Sequence, residues 1–348
     1  MRLAAAALLL VAILASAGCG SRDGGGEATQ PPPAESPSPA SSPPASPTPA
    51  PRATTPAANT GDGCTSFPAN VQPGQTVLRR LTSSGMEREY RLHLSARAKP
   101  GDRAALVLNW HGLGSSAQEQ EPYSGLVPVS DREGFVLVTP DGTGTPRGFA
   151  AFGIPINGAN DVQFARDLVD TLARELCIDT ARVYSTGMSN GAYMSSRLGC
   201  EIGDQIAAIA PVAGVYMPPG LPCKRAMPVL AFHGTDDAVV PFEGGLVLRL
   251  LPYSGADAAA MAWAANNPGV VPSACGNTTA VTSVISEHVE RRDYEGCAGV
   301  PVGLVIVRGG GHTWPGAPDV RALGVTTHEI SAAEIIWTFF KDHRLPPN

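Results

Sequence analysis

Arg182-Val183-Tyr184-Ser185-Thr186-Gly187-Met188-Ser189-Asn190-Gly191-Ala192-Tyr193-Met194 decides how this chain is read. A β-prone run leads into Gly-x-Ser-x-Gly, and an apolar, helix-compatible segment follows. At a sharp strand-to-helix turn the serine hydroxyl stands clear of the sheet edge, where it is free to act as a nucleophile. Gly187 and Gly191 suit such a turn because backbone segments approach there too closely for a Cβ. The pentapeptide alone also fits an ordinary surface turn. Its weight comes from the strand before it and the helix after it. Ser189 in this role requires a base, an acid to orient that base, and hydrogen-bond donors for an oxyanion.

The flanking sequence has a place for each. Ala104 to Leu108 is a continuous apolar run, as expected of a strand buried on both faces, and it exits into Asn109-Trp110-His111-Gly112-Leu113-Gly114. The backbone N–H groups of Asn190, which follows the nucleophile, and of Leu113 are the expected oxyanion donors. His111 either touches substrate or braces its loop. Phe135 to Pro140 predicts a further buried strand. Val162, Ala165, Leu168, Val169, Leu172 and Leu176 then recur at helical spacing after an Asn160-Asp161 cap. Ile206 to Val212 and Met227 to Phe232 predict two more strands. The second opens onto His233-Gly234-Thr235-Asp236-Asp237, where either aspartate can supply the acid and His233 can brace the loop. Gly303 to Val307 predicts the last buried strand. It delivers Gly309-Gly310-Gly311-His312-Thr313-Trp314-Pro315-Gly316, with His312 as the expected base. The order Ser…Asp…His is that of a triad built on a strand–turn–helix elbow.

Strands alternating with helices predict an α/β fold with a mostly parallel, doubly wound sheet. Thr76 to Leu81 and Glu87 to Leu94 predict an antiparallel hairpin at its edge. Asp257 to Asn266 predicts a helix. Thr282 to Ile285 and Glu287 to Tyr294 predict paired strands, and Ala333, Ile336, Trp337 and Phe340 the buried stripe of a C-terminal helix.

The N-terminal sixty residues are of a different kind. Met1-Arg2 precedes an apolar run from Leu3 to Leu14, then Ser16-Ala17-Gly18 and Cys19. This is the pattern of an export signal over residues 1–19, and a cysteine directly after small residues resembles a bacterial lipoprotein processing site. Lipidation at Cys19 would hold the protein at the outer face of a membrane without a transmembrane helix. Residues 20–63, rich in Pro, Ala, Ser, Thr and Gly, form no core and are expected to be an extended linker. Residues 64–348 are enough for one α/β domain.

The formal net charge is −6, and no run of Lys and Arg exceeds two residues, which argues against a nucleic-acid partner. Apart from Cys19 there are six cysteines: Cys64, Cys177, Cys200, Cys223, Cys275 and Cys297. An even number in an exported chain reads as disulfides, and no Cys-x-x-Cys suggests zinc. The sequence-local pairs are Cys200 with Cys223 and Cys275 with Cys297, which leaves Cys64 with Cys177.

The stretches Asp161 to Arg174, Arg182 to Gly191, His233 to Asp237 and Gly311 to Gly316 resemble the polyhydroxybutyrate depolymerase/feruloyl esterase family of secreted α/β-hydrolases, akin to carbohydrate esterase family 1. The resemblance covers residues 64–348, and Gly311-His312-Thr313-Trp314-Pro315-Gly316 is its most specific segment. It implies the α/β-hydrolase fold, Ser189 as nucleophile, Asp237 as acid, His312 as base, and no metal or organic cofactor. The substrates implied are feruloyl, acetyl or hydroxyalkanoate esters. Family members acting on solid polymer commonly carry a binding domain, for which the C-terminal helix leaves no room; soluble short-chain or aryl esters are therefore expected. Trp110, Trp263 and Trp314 suit either an aromatic platform for substrate, Trp314 above all, or packing inside the protein. Two other functions share the scaffold: a non-catalytic envelope lipoprotein, which would lack a triad residue, and a serine peptidase or thioesterase, which would differ only in leaving group.

Overall fold

The computed structural model describes residues 66–218, 223–247, 251–266, 278–296 and 298–347. Its strands are β1 (Gln75–Ser83), β2 (Met86–Leu94), β3 (Ala104–Trp110), β4 (Val136–Pro140), β5 (Ile178–Met188), β6 (Ala208–Val212), β7 (Val229–Gly234), β8 (Gly245–Val247), β9 (Leu251–Tyr253), β10 (Thr279–Val284), β11 (Val289–Glu295) and β12 (Val302–Val307). Ten of them form one sheet in the order β1-β2-β4-β3-β5-β6-β7-β12-β11-β10, and β8 pairs with β9 separately. The block from β4 to β12 is parallel throughout. Antiparallel hairpins close both ends, β1 with β2 and β10 with β11. The apolar runs occupy the parallel block because only a strand covered on both faces buries every side chain. All residues of β4, β6, β7 and β12 are buried.

Alternating residues serve two cores, as the period-two geometry of a strand dictates. From β3, Leu106, Leu108 and Trp110 join one core. Ala105 and Val107 join the other. The first core is covered by α3 (Asp161–Glu175), α4 (Asn190–Glu201) and α5 (Ala256–Ala265). The second is covered by α2 (Leu126–Glu133) and α6 (Ala332–Lys341). Asn160 caps α3, its side chain accepting from the Gln163 N–H. Two helices, α1 (Ala117–Ser124) and α2, are additional to the elements expected from sequence, as is the β8–β9 ribbon. α1 carries Pro122 and buries Gln120, Glu121 and Ser124 rather than an apolar stripe. Asn109 on β3 meets it: the Gln120 side-chain amide donates to Asn109 Oδ1 at 3.0 Å, and Asn109 Nδ2 donates to Ser124 Oγ at 3.0 Å.

A disulfide joins Cys200 and Cys223 as expected. Cys177 is also disulfide-bonded, and its expected partner, Cys64, lies outside the described residues together with Cys19, Cys275 and Cys297. Among the described residues no helix is long and apolar enough to cross a membrane.

The parallel block aims the loops after β3, β5, β7 and β12 at one edge of the sheet. This is where open α/β sheets bind their ligands, and it brings together four stretches separated by some two hundred residues of sequence.

Candidate active site

Ser189 sits between β5 and α4 with φ 56° and ψ −117°. That is a backbone conformation L-residues avoid, and it occurs where surrounding structure over-determines it. The constraint is visible here. The Ser189 N–H donates to the Val212 carbonyl at 3.0 Å, and its own carbonyl accepts from Tyr193 N–H at 3.0 Å. A Cβ on Gly191 would stand 2.1 Å from the Trp110 carbonyl oxygen, and one on Gly187 would stand 2.5 Å from the same atom. The two glycines let β5 and α4 close against β3. The serine itself is half-buried.

Asp237 and His312 meet at the ends of β7 and β12. His312 Nδ1 donates to Asp237 Oδ2 at 2.8 Å. In the neutral ring this tautomer leaves the Nε2 lone pair able to receive a proton. Asp237 Oδ1 accepts from the N–H groups of Val239 at 2.9 Å and Val240 at 2.8 Å. Burial pushes the Asp237 carboxyl up; the charge and hydrogen bond of His312, aided by His233 and the Val240 N–H, outweigh it and leave its pKa below the usual carboxylate value. Asp236 is exposed and accepts from its neighbour Thr235 Oγ1 at 3.0 Å. The geometry therefore selects Asp237 as the partner of His312. His233 braces this loop: its Nε2–H donates to the Val240 carbonyl at 2.9 Å, and burial lowers its pKa and keeps it neutral.

The loop after β3 passes beside the elbow, and a Cβ on Gly112 would stand 3.5 Å from that of Ser189. Among the described residues the Leu113 N–H has no backbone acceptor. Asn190 opens α4, and the first N–H groups of a helix have no intrahelical acceptor. Two backbone N–H groups without a backbone acceptor among the described residues thus belong to the segments next to a half-buried serine.

These features can be set beside known proteins. No family model matches the chain. The chain is 32% identical over 357 residues to "Putative esterase NocK" of Nocardia uniformis subsp. tsuyamanensis, a match spanning 94% of this chain and 95% of that protein. It is 36% identical over 224 residues to "Feruloyl esterase B" of Piromyces equi, covering 61% of this chain and 40% of that protein's length. The solved acetyl xylan esterase from Aspergillus awamori superposes with a TM-score of 0.52 at 15% identity, over 76% of this chain and 99% of that one, and shows the same fold. The chain belongs to the feruloyl esterase-like family of carboxylic ester hydrolases.

Several residues of this esterase are placed differently from the sequence reading. Trp110, Trp263 and Trp314 are fully buried and present no aromatic platform. The Trp110 indole donates to Ser185 Oγ at 3.0 Å, and that of Trp263 to the Tyr216 carbonyl at 2.9 Å. Trp314 packs in the second core, with its backbone N–H 3.4 Å from Tyr123 Oη. His111 is fully buried and has no free nitrogen for substrate: Nδ1–H donates to the Gly112 carbonyl at 2.8 Å, and Nε2 accepts from the Gly142 N–H at 2.9 Å. It braces the oxyanion loop against the loop after β4.

That second loop is the part of the site the sequence reading missed. Its Phe149 backbone is held on both sides by the Asn190 carboxamide, and Arg147 and Asp141 pair at 3.1 Å beside His111. Asp141-Gly142-Thr143-Gly144 is visible in sequence as a turn, but nothing in it marks a return to the nucleophile. Among the described residues no group of three or more His, Cys, Asp or Glu side chains is gathered to hold a metal ion.

Proposed function

We propose that this protein is an exported serine esterase in which Ser189 is the nucleophile, His312 the general base and then acid, Asp237 the orienting acid, and the Leu113 and Asn190 N–H groups the oxyanion hole. The observation that carries this reading is the 2.8 Å contact from His312 Nδ1 to Asp237, made at the same sheet edge as a strained, half-buried serine. His312 Nε2 takes the hydroxyl proton as Ser189 Oγ attacks the ester carbonyl. The carbonyl electrons move onto the oxyanion, where each backbone donor contributes roughly 3–4 kcal/mol to transition-state stability. The imidazolium, stabilised by Asp237, protonates the departing alcohol, and water then releases the acid by the same steps in reverse. No metal enters this scheme.

The proposed substrates are aryl acyl esters of the feruloyl type and short-chain esters, on the strength of the feruloyl esterase named among the relatives. Hydroxyalkanoate esters are the alternative acyl class. Initial rates on p-nitrophenyl acetate, p-nitrophenyl butyrate, methyl ferulate and a hydroxybutyrate oligomer, for the native chain and Ser189→Ala, test both levels. Serine-dependent turnover supports the mechanism, and the fastest ester assigns the acyl class. Equal rates for native and folded Ser189→Ala would refute the mechanism.

Residues 1–19 support export, and Cys19 followed by the 20–63 linker supports a lipid anchor that holds the domain off a membrane's outer face. Cys19→Ser should move the protein from the membrane fraction to the medium; an unchanged distribution would mean that Cys19 carries no anchor.

A further inference from the structure

The two unpaired donors of the site belong to segments far apart in sequence, and catalysis depends on their separation. A hydrogen bond to an oxyanion weakens steeply outside its narrow range of distance and angle. One short segment, Arg147-Gly148-Phe149, touches both. On the Leu113 side, the Arg147 carbonyl accepts from the Gly114 N–H at 2.7 Å. On the Asn190 side, the carboxamide oxygen accepts from the Phe149 N–H at 2.8 Å and the carboxamide nitrogen donates to the Phe149 carbonyl at 3.1 Å. Between them, Gly148 has no room for a side chain: a Cβ would stand 2.6 Å from Leu113 Cδ1 and 3.1 Å from Asn190 Oδ1.

The segment is anchored from behind. Thr143 and Gly148 exchange a pair of backbone hydrogen bonds at 3.0 Å. The Ala150 N–H donates at 2.7 Å to Asp161, which is buried in an ion pair with Arg88 at 2.7 Å. The Phe149 ring packs on His111 at 4.6 Å and on Trp110 at 5.0 Å. The segment thus belongs to the frame of α3 and the β4 loop rather than to either donor segment.

We propose that Arg147-Gly148-Phe149 is a strap that fixes the spacing of the two oxyanion donors, with the Asn190 carboxamide as the positioning group that ties it to the nucleophile. Asn190 has two functions on this reading: its backbone N–H faces the oxyanion, and its side chain sets where that N–H stands. The residue after the nucleophile is therefore constrained to a short carboxamide. Aspartate keeps the acceptor for Phe149 N–H but turns a carboxylate oxygen on the Phe149 carbonyl, and alanine keeps neither bond. The proposal rests on the serine esterase reading above.

The test uses the full chain with p-nitrophenyl acetate, and butylboronic acid as a probe whose boron accepts the serine oxygen to give an anionic tetrahedral adduct. Asn190→Ala and Asn190→Asp should each lower kcat roughly 10–100-fold, the size of effect that follows when a donor is displaced rather than deleted. KM should stay within about threefold, because the ground-state carbonyl uses the hole weakly. The inhibition constant of the boronic acid should rise by the same factor as kcat falls. Gly148→Ala, whose added Cβ would press on the Leu113 side chain and on the Asn190 carboxamide oxygen while leaving Asn190 itself in place, should behave alike and carries the test if an Asn190 variant does not fold. A folded Asn190→Ala with native kcat, or one whose loss lies in KM with boronate affinity unchanged, overturns the strap. Ser189→Ala separates the two levels: its loss of turnover with native kcat in Asn190→Ala rejects the strap alone, whereas full activity in Ser189→Ala rejects the catalytic reading and the strap together.

Discussion

Asp237 turns its two oxygens to different tasks: Oδ2 accepts from His312 Nδ1 at 2.8 Å, while Oδ1 takes the N–H groups of Val239 and Val240. The carboxylate is fixed by its own loop before it meets the imidazole. Asp237→Asn keeps the shape but sets either an amide N–H or a neutral oxygen before Nδ1. If the amide N–H faces the ring, Nδ1 must accept and Nε2 carries the proton, the wrong tautomer for a base. By analogy with the loss on such a change in a serine protease, kcat should fall on the order of 10⁴-fold. Asp236→Asn, at an exposed position, should change stability by no more than about 0.5 kcal/mol and leave kcat near native. Measured kcat for the two variants decides between the aspartates, and the opposite pattern would reassign the acid.

The elbow stores strain that can be measured. At φ 56° and ψ −117°, Ser189 occupies a region that suits glycine. Ser189→Gly and Ser189→Ala both remove the hydroxyl and should both abolish turnover. They should differ in stability, with glycine more stable by about 1–2 kcal/mol, the usual cost of holding a side chain in such a conformation. Urea unfolding of the pair gives the difference directly. Equal midpoints would mean that the backbone relaxes when the hydroxyl is gone.

The elbow, the buried strands and the two hairpins were legible because each is written locally. Continuous apolar runs mark strands covered on both faces, and alternation in Tyr90, Leu92 and Leu94 marks a hairpin with one buried face. Asp236 and Asp237 are chemically alike, so the family resemblance pointed to Asp237 where composition did not, and in the structure the turn at Val239–Val240 separates them. α1 was not legible: it buries Gln120 and Ser124 against Asn109, and buried polar contacts leave no hydrophobic period. The tryptophans misled because Trp110 and Trp263 satisfy their indole N–H groups inside the protein, a property of tertiary structure alone. The clamp of Asn190 on Phe149 joins residues 41 apart and has no sequence signature.

Glycines at the site fall into two kinds that mutation should separate. Gly191 has no space: a Cβ would meet the Trp110 carbonyl oxygen at 2.1 Å and the His111 carbonyl oxygen at 2.8 Å. Backbone on both sides must move, so Gly191→Ala should cost more than about 3 kcal/mol, beyond the usual range of overpacking in a core, and should displace the Asn190 N–H. Gly153 has a φ of +80° and nothing within 4 Å of the Cβ position. Its replacement by alanine meets only the backbone penalty, about 1–2 kcal/mol, with kcat unchanged. Thermal melts and kcat on the two variants check the contrast, and a Gly191→Ala enzyme as active and stable as native would show that β3 and α4 can part without harm.

His233 should give the protein a measurable sensitivity to mild acid. Burial holds its pKa below the ordinary 6.5, against the opposing pull of Asp237 and the Val240 carbonyl, with His312 adding to the depression. In the unfolded chain the same histidine titrates near its ordinary value. As pH falls below about 6.5, the unfolded state takes up a proton that the folded state refuses, so unfolding is favoured. The loss from this one group approaches about 1.4 kcal/mol per pH unit and stops once the folded pKa is reached. His233→Gln can still offer an N–H to the Val240 carbonyl but does not titrate. Urea midpoints taken from pH 7.5 down to pH 5 should therefore fall less steeply for His233→Gln than for the native chain. Parallel curves would mean that His233 takes its proton in the folded state, beside the carboxylate of Asp237.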